Sequence, residues 1–235
     1  MLAHKGISSS IILSFLLIFN FSAKAQRFQT GITFGPAMTT VNGIDTKDYD
    51  NDAYKLGFTL GAFANTHISD KNILQFEINF TQAGATQAPD SLNNSSFRLT
   101  LNYLNAGVLI RHRIRFKMSG KLVDKVDLEA GVAVGRLLSS SFVENTYSVP
   151  LTSANYNTTD INAFAGIDYS FSQRFYFCAR YSNSLQPLVK RDYTPYYASY
   201  YTWNKGNNMI FDFSFHILLG KRNTDAAANL NPTTK

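Results

Sequence analysis

The segment Ile210–Ile217 reads I-F-D-F-S-F-H-I and alternates strictly between apolar and polar side chains. Successive side chains of a β-strand point to opposite faces of the sheet, so this alternation predicts a strand with one apolar face. Its apolar face carries Phe211, Phe213, Phe215 and Ile217, and its polar face carries Asp212, Ser214 and His216. Leu74–Thr81 (L-Q-F-E-I-N-F-T) has the same alternation and predicts a second strand.

Six further segments alternate less regularly, which brings the prediction to eight strands. In one of them the alternation changes phase near Tyr103–Asn105, which predicts a β-bulge there. Long and short connections then follow one another along the chain. This is typical of an up-and-down antiparallel membrane barrel with both ends of the chain on the side of the short turns. The six segments are about 27–38, 54–68, 97–116, 126–139, 160–172 and 174–184.

The composition excludes several classes of protein. Of 235 residues, 45% are hydrophobic and 14% aromatic, which is too much apolar surface for a disordered chain. Only 16% are charged, against roughly 25% in an ordinary soluble domain. The single cysteine, Cys178, excludes an intramolecular disulfide framework and a multi-cysteine zinc site. We therefore expect a well-packed all-β protein that needs no cofactor and no metal.

The N-terminal 25 residues have the pattern of a secretory signal peptide. Lys5 precedes the apolar stretch Ile11–Phe21, and Ala23-Lys24-Ala25 predicts cleavage after Ala25. Cleavage would lower the net charge from +6 to +4, a mild excess that does not indicate a nucleic-acid partner in an exported protein. We expect residues 26–220 to form the barrel and residues 221–235 to be a disordered periplasmic tail.

Glycines decide between a membrane barrel and a soluble one. Glycine weakens a water-facing strand, whereas the interior of a narrow closed barrel needs small residues. The glycines lie on the polar faces and not on the apolar faces, which favours an outer-membrane barrel with its apolar faces in lipid. The alternative is a soluble periplasmic β-sandwich or barrel that binds a ligand. The glycines concerned are Gly31, Gly35, Gly57, Gly61, Gly107, Gly131, Gly135 and Gly166.

Several short motifs resemble the PorT-type outer-membrane β-barrel family. The resemblance covers residues 26–219 and implies an eight-stranded barrel in the outer membrane of a Gram-negative-type cell. The motifs are the paired glycines in Gly31–Gly35-Pro36, Lys55-Leu56-Gly57-Phe58–Gly61 and Glu129-Ala130-Gly131–Gly135, together with Leu101-Asn102-Tyr103-Leu104 and Ala179-Arg180-Tyr181-Ser182.

Charged residues on the polar faces predict an ion-pair network inside the barrel. Charges in a narrow interior need partners, so arginine–carboxylate pairs should cross it and plug it. A solute path along the same residues is the alternative. The predicted members are Glu77, Arg111, Arg113, Glu129, Asp168, Arg180 and Asp212.

The longest predicted loop, 185–208, is rich in aromatic residues. It is either part of the interfacial aromatic girdle or a surface that binds a partner such as a surface glycan or another envelope protein. A basic run, Arg111–Lys125, lies at the opposite rim and is expected to face solvent or lipid headgroups. The aromatic residues are Tyr193, Tyr196, Tyr197, Tyr200, Tyr201 and Trp203.

Enzymatic chemistry is not indicated. His67, His112 and His216 are predicted near the short-turn ends of their strands, far from the long loops, and no G-x-S-x-G motif occurs. We therefore expect a non-enzymatic integral protein of the outer membrane with a plugged interior and long outer loops for binding or envelope structure. A subunit of a larger envelope or secretion machine is the alternative.

Overall fold

The computed structural model describes residues 28–46, 54–89, 96–118, 121–144, 147–149, 156–188 and 201–219. The predicted signal peptide and C-terminal tail lie outside these ranges. Within them, no helix is long and apolar enough to cross a membrane. The strands are β1 (Gln29–Thr46), β2 (Lys55–His67), β3 (Asn72–Gln87), β4 (Phe97–Met118), β5 (Lys121–Glu144), β6 (Tyr147–Val149), β7 (Thr159–Ser170), β8 (Phe175–Ser184) and β9 (Tyr201–Leu218).

Eight of these strands form a closed antiparallel barrel, as predicted. Each barrel strand pairs with the next one along the chain, with β5 pairing to β7. The ring closes where β1 pairs with β9, from Gly31 opposite Leu218 to Thr46 opposite Tyr201. The short strand β6 pairs only with the end of β5 and stands outside the ring. Closure removes free sheet edges along the barrel wall.

The outer surface of the barrel is a belt of exposed aliphatic and aromatic side chains. On β2, for example, Leu56 is 76% exposed and Leu60 54%, while Thr59 between them is buried. A water-soluble protein does not expose a continuous apolar belt of this kind, whereas a barrel in lipid requires one. The alternation therefore orients the sheet as predicted, and it argues against the soluble alternative.

The eight glycines singled out in the sequence occupy inward-facing register positions. Several of them leave room for a neighbouring interior side chain. A Cβ on Gly131 would approach the Phe164 ring to 2.8 Å, and a Cβ on Gly107 would approach the Glu77 side chain to 3.1 Å. The interior is therefore packed around its glycines, as expected for a narrow barrel.

The strands extend further toward the long loops than predicted. β1 continues to Thr46, and β9 begins at Tyr201 rather than near Ile210. The alternation breaks down in these extensions because polar residues stand next to each other, as in Thr39-Thr40 and Asn207-Asn208. At the short-turn end, the predicted intermediate connection 117–125 is instead mostly strand, since β4 reaches Met118 and β5 starts at Lys121.

The predicted bulge in β4 was misplaced. Odd-numbered residues of β4 face inward along its described length, from Phe97 to Arg113. The register does shift at Asn102 and Tyr103, but the extra residue is Leu138 in β5, because Asn102 pairs with Ser139 and Tyr103 with Leu137. The apparent change of phase in β4 reflects a change of interior environment, from apolar around Leu99 and Leu101 to polar beyond Tyr103.

Candidate functional site in the barrel interior

Arg180 of β8 stands at the centre of the interior and bridges two other strands. Its Nε and Nη2 donate to the carboxylate of Glu129 on β5, at 2.6 and 3.2 Å. Its Nη1 and Nη2 donate to the carboxylate of Glu77 on β3, also at 2.6 and 3.2 Å. The guanidinium lies 4.3 Å from the centre of the Phe164 ring on β7. Arg180 thus connects β8 to β5 and β3 through two bidentate ion pairs, and to β7 through its contact with the Phe164 ring.

A second group of charges lies between Arg180 and the short turns. Arg111 of β4 pairs with Asp168 of β7 at 3.6 Å and lies 4.5 Å from the centre of the Tyr176 ring. Arg113 of β4 makes a shorter ion pair with Asp127 of β5, at 2.9 Å. Arg111 and Arg113 of β4 thus each have a carboxylate partner.

Three groups near this network resemble a metal-ligand set. Ligand atoms of Glu129, Asp168 and Cys178 lie within 4.8 Å of one another, and all three residues are buried. Arg180 already occupies both oxygens of Glu129, and the Cys178 thiol donates to Glu129 Oε1 at 3.2 Å. A metal ion at this place would therefore have to displace an arginine, so the geometry favours the ion-pair network.

An aromatic group closes the short-turn end of the interior. The ring of His216 lies 4.5 Å from Tyr176 and 5.4 Å from Phe63, centre to centre. The Tyr176 hydroxyl donates to Gln75 Oε1 at 3.4 Å, and Leu218 packs against the same group. These side chains are almost completely buried, so they fill the interior at this end of the described barrel.

An apolar layer closes the opposite end, toward the long loops. Most of its side chains are buried because they lie on the inward faces of the strands near the long loops. Lys55 lies beside this layer and donates from its Nζ to the carbonyl of Ala83 at 3.2 Å. The layer consists of Val41, Ala83, Ala85, Phe97, Leu99, Leu101, Tyr103, Phe142, Tyr156 and Leu188.

A polar cavity of about 50 Å³ remains between the apolar layer and Arg180, with room for a few water molecules. Asp160 lines it and accepts hydrogen bonds from Ser184 at 2.8 Å and Asn208 at 3.3 Å. Asp212 lines it as well, and its Oδ2 has no hydrogen-bond partner among the described residues. The described interior is thus a chamber between the aromatic group at the short-turn end and the apolar layer at the long-loop end, here called the two seals.

The structure brings most of the residues predicted for the network close to an oppositely charged side chain. Six of its seven members form ion pairs: Glu77, Arg111, Arg113, Glu129, Asp168 and Arg180. Asp212 pairs with Arg180 only in backbone register and makes no ion pair with it within the described residues. Sequence reasoning missed Asp127 and Asp160. Asp127 shares the inward parity of Glu129 in V-D-L-E, so that signal was available.

The predicted aromatic loop is only partly described. Tyr193, Tyr196, Tyr197 and Tyr200 lie outside the described residues. Tyr201 and Trp203 belong to β9 rather than to a loop, opposite Thr46 and Ile44 of β1. The strand therefore continues into the aromatic segment.

Several solved structures are similar to this chain at low sequence identity. Neisserial surface protein A shares 14% identity over 81% of this chain and 96% of its own, with a TM-score of 0.46. Ail of Yersinia pestis shares 13% over 81% and 98%, with a TM-score of 0.40. OprG of Pseudomonas aeruginosa shares 10% over 82% and 94%, with a TM-score of 0.34. Among curated proteins, no sequence matches this chain.

The sequence profile of one family matches residues 20–190, which is most of the chain. Its description is "Outer membrane protein beta-barrel domain". The closed eight-stranded ring, the exposed apolar belt and the polar interior are the features that such a domain requires. The chain therefore belongs to the outer membrane protein beta-barrel domain family and is an integral barrel of the outer membrane.

Proposed function

We propose that the protein is a non-enzymatic surface-display barrel of the PorT type, closed to solutes and binding through its long outer loops. The observation that carries this proposal is the double closure of the interior. The apolar layer around Leu99 and Leu101 blocks the long-loop end, and the aromatic group around Tyr176 blocks the short-turn end. An eight-stranded barrel has room only for packed side chains, so a filled interior supports display rather than transport.

The histidines support a non-enzymatic role. Ser214 Oγ and His216 Nε2 lie 3.1 Å apart, a distance that suits a nucleophile and its base. Both residues are only 2% exposed, however, and His216 is part of the aromatic group at the short-turn end, so neither side chain is open to a substrate from outside. His112 lies at the short-turn end, where its Nδ1 contacts Asn72 Oδ1 at 2.8 Å. A hydrolase of the outer membrane would need its base at the loop end.

The aromatic segment Tyr193–Trp203 is the proposed binding surface. Tyrosine and tryptophan provide rigid contact area and can stack on sugar rings, so a surface glycan or another envelope protein is the proposed partner. The β1–β9 ladder supports this assignment, because it continues past Val41 of the apolar layer to Tyr201. The ladder thereby carries the backbone of Tyr201 and Trp203 beyond the apolar layer.

Two measurements test the proposal. In planar bilayers, we expect the purified protein to show no steady single-channel conductance, and reproducible open steps would contradict the closed interior. Replacing Tyr193, Tyr196, Tyr197 and Tyr200 with serine should abolish capture of the partner. Capture is measured on a glycan array and by co-purification in mild detergent. Tyr54→Ser, at the same end in another connection, should leave capture unchanged. Capture that survives the four substitutions would overturn the loop assignment, and a stoichiometric multiprotein complex would favour the machine-subunit alternative.

A further inference from the structure

We propose that the short-turn rim of the barrel is a binding surface for anionic phospholipid headgroups of the periplasmic leaflet. Outer-membrane barrels place their short turns in the periplasm, so this rim meets the inner leaflet. The surface centres on a hairpin made of Ile114–Met118 and Lys121–Lys125, here called the periplasmic hairpin. Two neighbouring turns, which contain Lys71 and Arg174, complete it.

The periplasmic hairpin projects beyond the rest of the barrel. β3 begins at Asn72, opposite His112, and the last pairing of β7 with β5 joins Tyr169 to Val126. Beyond these points the ends of β4 and β5 pair only with each other within the described strands. At ~3.3 Å per residue, the hairpin extends the wall by roughly 15 Å, or somewhat less if it tilts.

Among the described side chains, exposed cations are more frequent at this rim than at the opposite end. Lys71, Arg115, Lys125 and Arg174 are exposed there, whereas Arg98 and Arg136 are the exposed cations described at the opposite end. Asp70 and Asp124 are the exposed acids described at the same rim, so positive charge is in excess. Lys117 and Lys121 of the hairpin add two more cations to the sequence of this rim.

The basic rim is continuous with the lipid-facing belt. Ile68, Phe171 and Phe175 are exposed in or beside the turns that hold Lys71 and Arg174. Apolar and aromatic side chains next to cations suit the boundary between acyl chains and headgroups. The layer of the membrane next to the apolar belt is therefore the phosphate layer of the leaflet. Its negative charge complements the excess of cations on the rim.

A lipid surface fits the hairpin better than a protein strand does. The free backbone edges of β4 and β5 here are the places where a protein strand would add to the sheet. Charged side chains, lysine above all, are the residues that discourage such pairing. Arg115 further donates from Nη2 to the carbonyl of Asp70 at 3.3 Å, which ties the hairpin base to the neighbouring turn.

Each basic side chain near an anionic membrane surface raises association about fivefold at moderate salt. Reversing two of these charges should therefore weaken association with anionic lipid by more than about 25-fold. The attraction should also weaken as salt shortens the screening length from about 8 Å at physiological ionic strength.

The test compares two doubly substituted full-length proteins in vesicles of equal phosphatidylglycerol and phosphatidylcholine. Spin-labelled forms of both lipids report the relative association of each with the barrel. The test variant is Arg115→Glu/Lys125→Glu, and the matched control is Arg98→Glu/Arg136→Glu at the opposite end. A heat-induced band shift verifies that each variant is folded. Should the reversed variant fail to fold, Arg115→Gln/Lys125→Gln makes the same comparison with a smaller charge change.

We expect the unsubstituted protein and the control to prefer phosphatidylglycerol, and the test variant to lose that preference. High salt should reduce the preference of the unsubstituted protein in the same direction. The proposal is overturned if the unsubstituted protein shows no preference for the anionic lipid. It is equally overturned if the test variant, or its glutamine counterpart, keeps the preference, and an acidic protein partner would then become the better account of the rim.

Discussion

Removing the side chain of Arg180 is the sharpest perturbation of the interior network. In Arg180→Ala, the carboxylates of Glu77 and Glu129 lose four hydrogen bonds of 2.6–3.2 Å. They also lose the one positive charge that contacts both among the described residues. Both residues are buried, with 5% and 3% of their surface exposed. The substitution thus leaves two neighbouring carboxylates without their shared partner.

The size of the effect follows from the charges involved. At an effective dielectric constant of about 20 and a separation of about 4 Å, each pair contributes roughly 4 kcal/mol of Coulomb attraction. Proton uptake by the carboxylates and entry of water offset part of the loss. Removing one partner of a buried ion pair typically costs about 3–5 kcal/mol, and we expect Arg180→Ala to lower the free energy of unfolding by that amount.

Urea titration of the protein folded in lipid vesicles measures this difference, with the heat-induced band shift as the readout. Two controls separate lost pairing from lost packing. Arg98→Ala removes an exposed arginine and should change the free energy of unfolding by less than about 0.5 kcal/mol. Arg180→Met/Glu77→Gln/Glu129→Gln removes all three charges and should recover much of the stability. An unchanged urea midpoint for Arg180→Ala would refute the reasoning.

Two further predictions concern the seals and the glycines. Leu101→Ala opens space in the apolar layer and should cost about 2–5 kcal/mol of unfolding free energy. Leu104→Ala, on the lipid face of the same strand, should cost clearly less, and equal urea midpoints would argue against the layer. Gly61→Leu should prevent assembly because a Cβ there meets backbone and side-chain atoms of β3, whereas the neighbouring Ala62→Leu points to lipid and should still give the band shift. Folded Gly61→Leu protein would contradict the packed interior.

The alternation of side chains predicted the barrel because one physical constraint acts along most of each strand. Phe213 and Phe215 meet lipid, and Asp212 and Ser214 meet the interior, so polarity reports orientation directly. The same constraint brought six charged residues into ion pairs, since inward charges in a narrow barrel must find one another. Asp127 obeys that rule through its ion pair with Arg113, whereas Asp160 is satisfied by hydrogen bonds from Ser184 and Asn208. Both share the inward parity of their strands and were recoverable from it.

The strand extensions could not be predicted in the same way. In the extension of β3, Ala83 and Ala85 are apolar yet face inward, so polarity no longer distinguishes the two faces. The extra residue Leu138 in β5 is also invisible to a pattern read on β4, because a bulge is a property of two paired strands. The length of the β4–β5 hairpin depends on where β3 and β7 end, which no local pattern encodes.

The most direct test of the account asks which methyl groups touch lipid. Nuclear Overhauser effects between acyl chains and isotope-labelled isoleucine, leucine and valine methyl groups of the folded protein answer this without any substitution. We predict contacts from lipid to Ile78, Val132 and Ile167, which are about half exposed or more, and none to Leu99, Leu101 or Leu109, which are at most 1% exposed. Lipid contacts at the second set and their absence at the first would contradict the orientation of the sheet on which the barrel, the plug and the proposed function all depend.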